Sequence, residues 1–217
     1  IGPIRLAWRF EPCDQIGGDI FNFQYTGKNH ISFYMFDVCG HGVSAALIAS
    51  AVSQFIQTSC STMLAEAETP RPEAVLNNLE RAFPFERFDS FFTIVYITID
   101  YAKGCLFYSS AGHPPLILID QKRSLSILNV HGPVIGTGSV HSYPSQRVQL
   151  KSGDKVILYT DGILDYSNEM GEFFGKERLL RILGQFAASP VQILMDMVQE
   201  SVKNFAGGES PKDDASI

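Results

Sequence analysis

The chain has 217 residues, a formal net charge of −6 and an apolar fraction of 45%. This length allows one layered domain with a sizeable core. The acidic balance, with a pI near 5.3, argues against a nucleic-acid surface, because binding of phosphates needs a basic stripe. The most apolar helical stretch, residues 45–56, is interrupted by polar residues and is too short to span a bilayer. We therefore expect no nucleic-acid partner and no membrane contact by this domain.

The four cysteines stand among apolar neighbours and form no CxxC pair; they are Cys13, Cys39, Cys60 and Cys105. Such scattered thiols are typical of a reduced, cytoplasmic protein and argue against a disulfide framework. No signal peptide is visible. The chain begins with Ile1 rather than Met and ends on strand-like residues. We expect a single domain, residues 1–217, excised from a longer multidomain regulator.

Alternating apolar residues and turn signals predict a series of strands. They cover residues 4–10, 16–23, 31–38, 91–100, 104–110, 115–119, 124–128, 146–150, 155–160 and 215–217. The period of two and a hairpin turn at residues 26–29 place Asp19 and Asp37 on adjacent antiparallel strands.

Helical periodicity predicts four helices, over residues 43–61, 72–83, 176–186 and 190–205. Their inward residues are predicted as Val43, Leu47, Ile48, Ala51, Val52, Phe55 and Ile56 in the first helix, Val75, Leu76, Leu79 and Phe83 in the second, and Ile193, Leu194, Met197, Val198 and Val202 in the last. Runs of strands with helices in consecutive pairs do not make a doubly wound sheet. We predict an α+β fold, a four-layer α-β-β-α sandwich with two packed antiparallel sheets flanked by helix pairs.

The stretch Tyr34-Met-Phe-Asp-Val-Cys-Gly-His-Gly42 places one carboxylate, Asp37, near the end of an apolar strand. Burying an unpaired carboxylate is costly, so Asp37 should hold a metal, pair with a cation or emerge at the edge of the sheet. Gly40 and Gly42 then permit a sharp turn into the first helix.

Other carboxylates stand in similar positions beside glycines or beside each other: Asp19, Asp161, Asp213 and Asp214. Any single one of them could be a turn or helix-cap residue. Carboxylates crowded together repel one another unless a cation lies between them. Since oxygen ligands are plentiful and thiolate pairs are absent, Mg²⁺ or Mn²⁺ is favoured over zinc.

Five motifs in order resemble the metal-dependent PPM serine/threonine phosphatases, and most closely their bacterial SpoIIE/RsbU branch. They are Gly17-Gly18-Asp19, Asp37-Val-Cys-Gly-His-Gly42 followed by Ala45-Ala46-Leu47, Ser110-Ala-Gly-His-Pro-Pro115, Tyr159-Thr-Asp-Gly162 and Asp213-Asp214. The resemblance spans residues 17–214, nearly the whole chain.

The resemblance implies a site with two Mn²⁺ or Mg²⁺ ions that share a water. Asp37 would bridge the ions, Val38 would offer its backbone carbonyl, and Asp19 would bind one ion. Asp161 and Asp213 would bind the other. The implied reaction is hydrolysis of phosphoserine or phosphothreonine on a partner protein, such as an anti-sigma-factor antagonist, under control of an upstream receiver or sensor domain in a signal-transduction chain.

Secondary site candidates are Gly18, His41, His113, Gly162 and Asp214. His41 could act as a general acid or make a structural hydrogen bond, and His113 would shape the site. Asp214 is the alternative to Asp213 as a ligand. Only the position of the motif in the family favours Asp213.

Several other residues receive bland interpretations. Asp165 is expected to be solvated or capping, and Cys39 has no obvious neighbouring base that would make it a nucleophile. Asn22 stands where the family commonly has a second acidic residue, and Ser216 where it has threonine. Arg5 and Arg9 are candidates to grip phosphate or are surface residues, and the remaining histidines, His30, His131 and His141, follow no pattern.

Two rival functions stay open at this stage. The first is a non-catalytic module that keeps the fold and binds a regulator, and the second is a phosphatase of small phosphate esters. The sequence names neither the substrate nor the activating signal, and it leaves open the choice of Mg²⁺ or Mn²⁺ and the existence of a homodimer.

Overall fold

The computed structural model describes residues 3–66, 71–138 and 142–217, with the side chains of residues 60–66 left out. The predictions for the Cys60 side chain, for His141 and for most of the loop at residues 68–71 lie outside the described residues. The chain divides into two compact units. We call Gly18–Pro115 with Asn129–Leu150 the five-stranded unit, and Ile1–Gly17 with Leu116–Leu128 and Lys151–Ile217 the three-stranded unit.

The described elements follow in chain order. They are β1 (Phe10–Glu11), β2 (Ile20–Gly27), β3 (His30–Val38), α1 (Val43–Glu66), α2 (Pro72–Ala82), α3 (Phe85–Phe88), β4 (Phe92–Asp100), β5 (Cys105–Ala111), β6 (Leu116–Ile119), β7 (Leu125–Leu128), β8 (Ser145–Gln149), β9 (Lys155–Ile157), α4 (Asp161–Leu164), α5 (Gly175–Gln185), α6 (Val191–Ala206) and β10 (Ala215–Ser216). Within the described ranges, none of the helices has the length and apolar character needed to cross a membrane.

The five-stranded unit is built on an antiparallel sheet in the order β2-β3-β4-β5-β8. Its central strands are rich in β-branched and aromatic residues, which suit a buried pleated surface. Tyr34 and Phe36 of β3 share a face with Ile94 and Tyr96 of β4, and this face forms a core with α1 and α2. The sheet therefore buries most of β3 and leaves the residues at its end to form a site.

Helix α1 confirms part of its predicted inward face. Val52 and Ile56 are buried, and Ile48 and Phe55 pack partly buried against the core. In contrast, Val43 and Leu47 are 63% and 67% exposed, and Ala51 is also exposed. The core side of the helix includes the alanines at positions 45 and 49 instead, which the prediction missed because it followed the larger apolar residues. The inward face predicted for α2 is confirmed.

The three-stranded unit pairs its sheet, in the order β7-β6-β9, with α5 and α6. In α6 the predicted burial of Leu194, Val198 and Val202 is confirmed, whereas Ile193 is 46% exposed and Met195 takes its place in the core. Met197 is only partly buried. The strands β8 and β9, adjacent in sequence, join different sheets.

The predicted α+β fold, with antiparallel sheets and helices, is confirmed, but the bounds of several elements differ from the prediction. Helix α1 continues to Glu66, and the short helix α3 was not predicted. The first strand is limited to β1, because its partner is the two-residue β10. Strand β2 starts at Ile20 rather than near Ile16. Strand β9 ends at Ile157 instead of continuing to Thr160; residues 158–160 have no regular structure, and the one-turn helix α4 begins at Asp161.

Candidate metal centre

Asp19 and Asp37 lie at the same end of neighbouring strands. The last register pair of β2 and β3 joins Ile20 to Phe36; Asp19 directly precedes this pair and Asp37 directly follows it. Asp19 is 8% exposed and Asp37 is partly buried. The predicted adjacency of the two carboxylates is confirmed, with Asp19 one residue outside β2 rather than within it.

The backbone of Gly18 passes against the end of β3. A Cβ built on Gly18 would stand 2.6 Å from the Val38 carbonyl oxygen and 3.4 Å from Asp37 Oδ1. A carbon cannot approach an oxygen as closely as the first distance, so this position needs glycine for space. The Val38 carbonyl and the two carboxylates are therefore gathered at one end of the sheet.

The turn after β3 is exposed. Gly40 and Gly42 have φ of +97° and +77°, which glycine adopts without steric cost. The Cys39 N–H donates to the Phe91 carbonyl (3.0 Å), while the side chains of Cys39 and His41 face solvent. The predicted turn is confirmed.

His113 lies beside the cross-strand neighbour of Asp37. Asp37 pairs with Thr93 of β4, and the Thr93 hydroxyl lies 2.8 Å from His113 Nδ1 in a hydrogen bond. The ring is 3% exposed, and the Ser110 hydroxyl donates to the His113 carbonyl (3.4 Å). The position is consistent with the predicted shaping role, since His113 holds the strand next to Asp37.

Asp161 opens α4 in the three-stranded unit. The helix follows Thr160, and Asp165 ends it by donating its N–H to the Asp161 carbonyl. Both aspartates are exposed. Asp161 was predicted to end a strand as Asp37 does; that part was wrong, because β9 ends at Ile157 and Asp161 is the first residue of α4. Asp165 has the capping position that the sequence suggested.

Asp213 and Asp214 have opposite surroundings. Asp214 is 3% exposed, its Oδ1 accepts the Cys13 N–H (3.0 Å), and a Cβ on Gly17 would overlap its carboxylate. Asp213 is exposed, and its Oδ1 accepts the Asp214 N–H (2.8 Å). Asp214 is thus built into the structure, whereas Asp213 remains accessible to a ligand.

Thr160 fixes the segment that carries this pair. Its hydroxyl donates to the Asp214 carbonyl (3.3 Å) and accepts the Ser216 N–H (3.0 Å). A Cβ on Gly162 would overlap the Asp214 carbonyl oxygen, so the first turn of α4 needs glycine there for close approach. These contacts hold the start of α4, which carries Asp161, against the segment that carries Asp213. We call this part of the three-stranded unit the acidic corner.

The acidic side chains of this corner disfavour one another's charge. Partial desolvation raises the pKa of Asp213, and the charges of Asp161, Asp214 and Asp165 raise it further against the lowering effect of the backbone hydrogen bond. Partial desolvation and the Asp161 charge also raise the pKa of Asp165. A cation would offset this repulsion.

The Cys13 thiol responds to the same negative field. Burial and the neighbouring Asp214 raise its pKa to about 11, so Cys13 is held as a neutral thiol at neutral pH.

The donor set fits a hard divalent ion. Carboxylates and one backbone carbonyl are the oxygen ligands that Mg²⁺ and Mn²⁺ prefer. In the part of the chain that the structure describes, no three His, Cys, Asp or Glu side chains stand close enough together to hold an ion by themselves. Asp19, Asp37 and Val38 form one set of donors in the five-stranded unit, and Asp161 and Asp213 form another in the three-stranded unit.

Sequence reasoning missed several supporting residues. Three residues hold site residues through contacts that are distant in sequence: Thr160, Thr93 and Cys13. Only Thr160 has a local signal in the sequence, because threonine is common at helix N-caps. Of the two arginine candidates, Arg9 forms an ion pair with Asp196 of α6 and Arg5 is exposed. The Asn22 side chain accepts the Phe23 N–H (2.8 Å).

Comparisons with solved structures show that the fold is shared with PP2C-type domains. The SiaA-PP2C domain of Pseudomonas aeruginosa superposes with a TM-score of 0.84 at 22% identity, covering 97% of this chain and 82% of that one. RsbX in complex with magnesium superposes with a TM-score of 0.69 at 17% identity, covering 97% of this chain and 89% of that one. These likenesses establish a shared fold.

Sequence comparison gives the family. Residues 27–217 match the family model described as Stage II sporulation protein E (SpoIIE), so the chain belongs to the SpoIIE family. The phosphoserine phosphatase RsbU of Bacillus subtilis is 27% identical over 194 residues, which are 88% of this chain and 55% of RsbU. The chain spans between 36% and 55% of the length of three such curated relatives. The predicted family is confirmed.

Proposed function

We propose that this chain is the catalytic domain of a metal-dependent serine/threonine protein phosphatase, a phosphoric monoester hydrolase. The observation that carries the proposal is the pairing of Asp19 and Asp37 at one end of β2 and β3, with the Val38 carbonyl beside them at Gly18. Membership of the SpoIIE family and the phosphoserine phosphatase relatives support the reaction. The magnesium complex of RsbX supports the use of a divalent ion.

In this proposal five residues hold two Mg²⁺ or Mn²⁺ ions. Asp37 would serve both ions, Asp19 would bind one, and Val38 would contribute its carbonyl. Asp161 and Asp213 would bind the other ion; the burial of Asp214 and its bond to the Cys13 N–H support Asp213 as the ligand. When bound, such ions would make a water acidic enough to attack phosphorus at neutral pH and would stabilise charge on the leaving oxygen, so no covalent enzyme intermediate would be needed.

The surrounding residues keep these donors in place. Gly18 lets the Val38 carbonyl face the site, and Thr93 with His113 supports the strand next to Asp37. Thr160 holds the Asp214 backbone, and with it the neighbouring Asp213. His41 and Cys39 are exposed on the turn after β3; the proposal assigns no metal ligand to either, and His41 stays a candidate general acid.

The proposed substrate is a serine- or threonine-phosphorylated regulatory protein, such as an anti-sigma-factor antagonist, in a sigma-factor control system. Relatives named RsbU and RsbP, of which this chain covers about half or less, support this substrate class and an upstream receiver or sensor domain. We place the domain in the cytoplasm, which agrees with free thiols at Cys13, Cys39 and Cys105.

The test is release of phosphate from a serine-phosphorylated protein with Mn²⁺, for the parent chain and for Asp37→Asn. We expect metal-dependent release by the parent and a loss of at least about 100-fold in the variant, since it removes the shared ligand. Calorimetry should find two Mn²⁺ sites in the parent. No release together with no Mn²⁺ binding would leave a non-catalytic binding module, and turnover confined to small esters would indicate a small-molecule phosphatase.

A further inference from the structure

The segment between α4 and α5, residues 166–174, forms a hydrogen-bonded hairpin that we call the 166–174 hairpin. Ser167 and Phe173 form an antiparallel bridge, and the Phe174 N–H donates to the Tyr166 carbonyl (2.8 Å). At the tip, the Gly171 N–H donates to the Asn168 carbonyl (2.9 Å), with Gly171 at a φ of +77°. The segment is therefore an ordered turn.

The Asn168 side chain locks the tip from inside. Its Oδ1 accepts the N–H groups of Met170 (3.1 Å) and Glu172 (2.9 Å), and its Nδ2 donates to Glu172 Oε2 (3.0 Å). From α5, Arg178 donates to the carbonyl of Phe173 at 3.0 Å. Such a loop loses little conformational freedom when a partner binds, which favours affinity.

This locked hairpin presents two large apolar side chains to solvent. Met170 is 79% exposed, the highest value among the large hydrophobic side chains that the structure describes, and Phe173 is 58% exposed. Single exposed apolar residues are ordinary, but a methionine and a phenylalanine on one rigid turn resemble the anchors of protein interfaces. Glu169 beside Met170 adds negative charge.

The hairpin leaves the proposed site directly. It begins immediately after Asp165, the C-cap of α4, and α4 begins with Asp161. With 1.5 Å per helical residue and at most about 3.5 Å per extended residue, Ser167 lies within about 13 Å of Asp161. A folded domain about 30 Å across that brings a phosphoserine to Asp161 can therefore also cover the hairpin.

We infer that the 166–174 hairpin is the docking surface for the folded body of the phosphoprotein substrate. Met170 and Phe173 insert into an apolar face of the substrate, and basic side chains at the rim of that face meet Glu169. Short peptides and small esters reach the site without using this surface. The inference rests on the proposed function and names how its substrate is selected.

The experiment compares three substrates with Mn²⁺: a serine-phosphorylated anti-sigma-factor antagonist protein, a phosphoserine peptide with the sequence of its site, and p-nitrophenyl phosphate. For Met170→Ala and Phe173→Ala we expect KM for the protein to rise about tenfold, the effect of about 1.4 kcal/mol at an interface anchor. Values of kcat/KM for the peptide and the ester should not change. For Phe173→Leu we expect a smaller rise in KM for the protein than for Phe173→Ala.

The matched control is Ile193→Ala, another apolar side chain, 46% exposed on α6, for which all three substrates should behave as with the parent. Equal losses on all three substrates would make the hairpin part of the catalytic site and overturn docking. An unchanged KM for the protein substrate would also overturn the docking role. If the same variants also lost self-association in ultracentrifugation, the hairpin would be an interface with a second copy of this chain. If the parent turns over none of the substrates, the proposed function itself fails and the docking role falls with it.

Discussion

Gly18 lies against the carbonyl oxygen of Val38, at a distance that leaves no room for a side chain: a Cβ would stand 2.6 Å from that oxygen. The segment before β2 thereby passes close to the end of β3, where Asp19 and Asp37 stand. In the sequence this position is only a glycine before an aspartate. The close contact explains why glycine is needed there, because any side chain would collide with the Val38 carbonyl oxygen.

Gly18→Ala should therefore disturb the site. We expect the Val38 carbonyl to shift by several tenths of an ångström and Mn²⁺ affinity, measured by calorimetry, to fall at least about tenfold, a loss like that from altering a supporting contact of a metal ligand. Gly184→Ala is the control, because its Cβ would meet nothing closer than 3.9 Å inside α5, where alanine stabilises a helix by up to about 1 kcal/mol. Equal Mn²⁺ affinity in both variants would contradict the role of Gly18.

Substitutions of Asp213 and Asp214 should have different effects on Mn²⁺ binding and on the free energy of unfolding. Asp213→Asn removes an exposed ligand and relieves repulsion, so it should weaken Mn²⁺ binding while metal-free stability stays equal or rises. Asp214→Asn places an amide NH₂ in a carboxylate pocket packed against Gly17, and we expect a loss of about 1–3 kcal/mol in the free energy of unfolding. Urea denaturation without metal and Mn²⁺ calorimetry measure the two effects; the reverse pattern would make Asp214 the ligand.

Glu80 should be a main stabiliser of the five-stranded unit. Its carboxylate accepts the N–H groups of Gly136 (2.7 Å) and Gly138 (2.6 Å) and the Tyr143 hydroxyl (3.1 Å). Burial and the Glu80 charge raise the pKa of Tyr143 well above its usual range, so the phenol remains a donor. Glu80 thus ties Gly136, Gly138 and Tyr143 to α2.

Glu80→Ala leaves these donors without their acceptor, so we expect a loss of about 2–3 kcal/mol in the free energy of unfolding. Glu73→Ala on the same helix should cost about 0.5 kcal/mol or less, because its pairing with the exposed Arg71, at 3.9 Å, is weak. Thermal or urea unfolding of both variants gives the comparison. A Glu80 variant as stable as the Glu73 variant would show that water replaces the carboxylate.

The Asp100 carboxylate should contribute pH-dependent stability. Burial opposes its charge, but hydrogen bonds from Lys103 and the charges of His30 and Lys103 outweigh burial and hold the pKa of Asp100 below its ordinary value. A lowered folded pKa stabilises the protein above the unfolded pKa, near 3.9, and the contribution disappears as pH falls through the folded value.

The parent should therefore be more stable than Asp100→Asn at pH 7 and at pH 5.5 by similar amounts, and the difference should shrink below about pH 4. Urea denaturation across this range measures it. Glu86→Gln, an exposed carboxylate of α3, should show no such trend. A difference for Asp100 that is constant down to pH 3 would mean that packing, and not charge, underlies it.

Local sequence determined much of this protein. The periodicity of α2 and α6 placed most of their core residues, and the hairpin between β2 and β3 placed Asp19 beside Asp37. These predictions succeed because side-chain period and turn geometry are local properties that a single stretch of chain fixes. The five motifs, read together, also led to the family.

Tertiary structure decided what depends on partners distant in the chain. The first strand is cut to two residues by a short partner, the core face of α1 includes the alanines at positions 45 and 49, and β8 and β9 join different sheets. In the sequence alone, Asp213 and Asp214 are nearly equivalent candidates. The Cys13 N–H and the space left by Gly17, both about 200 residues away in the chain, let Asp214 be buried. Asp213 stays exposed. Such contacts depend on the packing of remote segments, which no local pattern records.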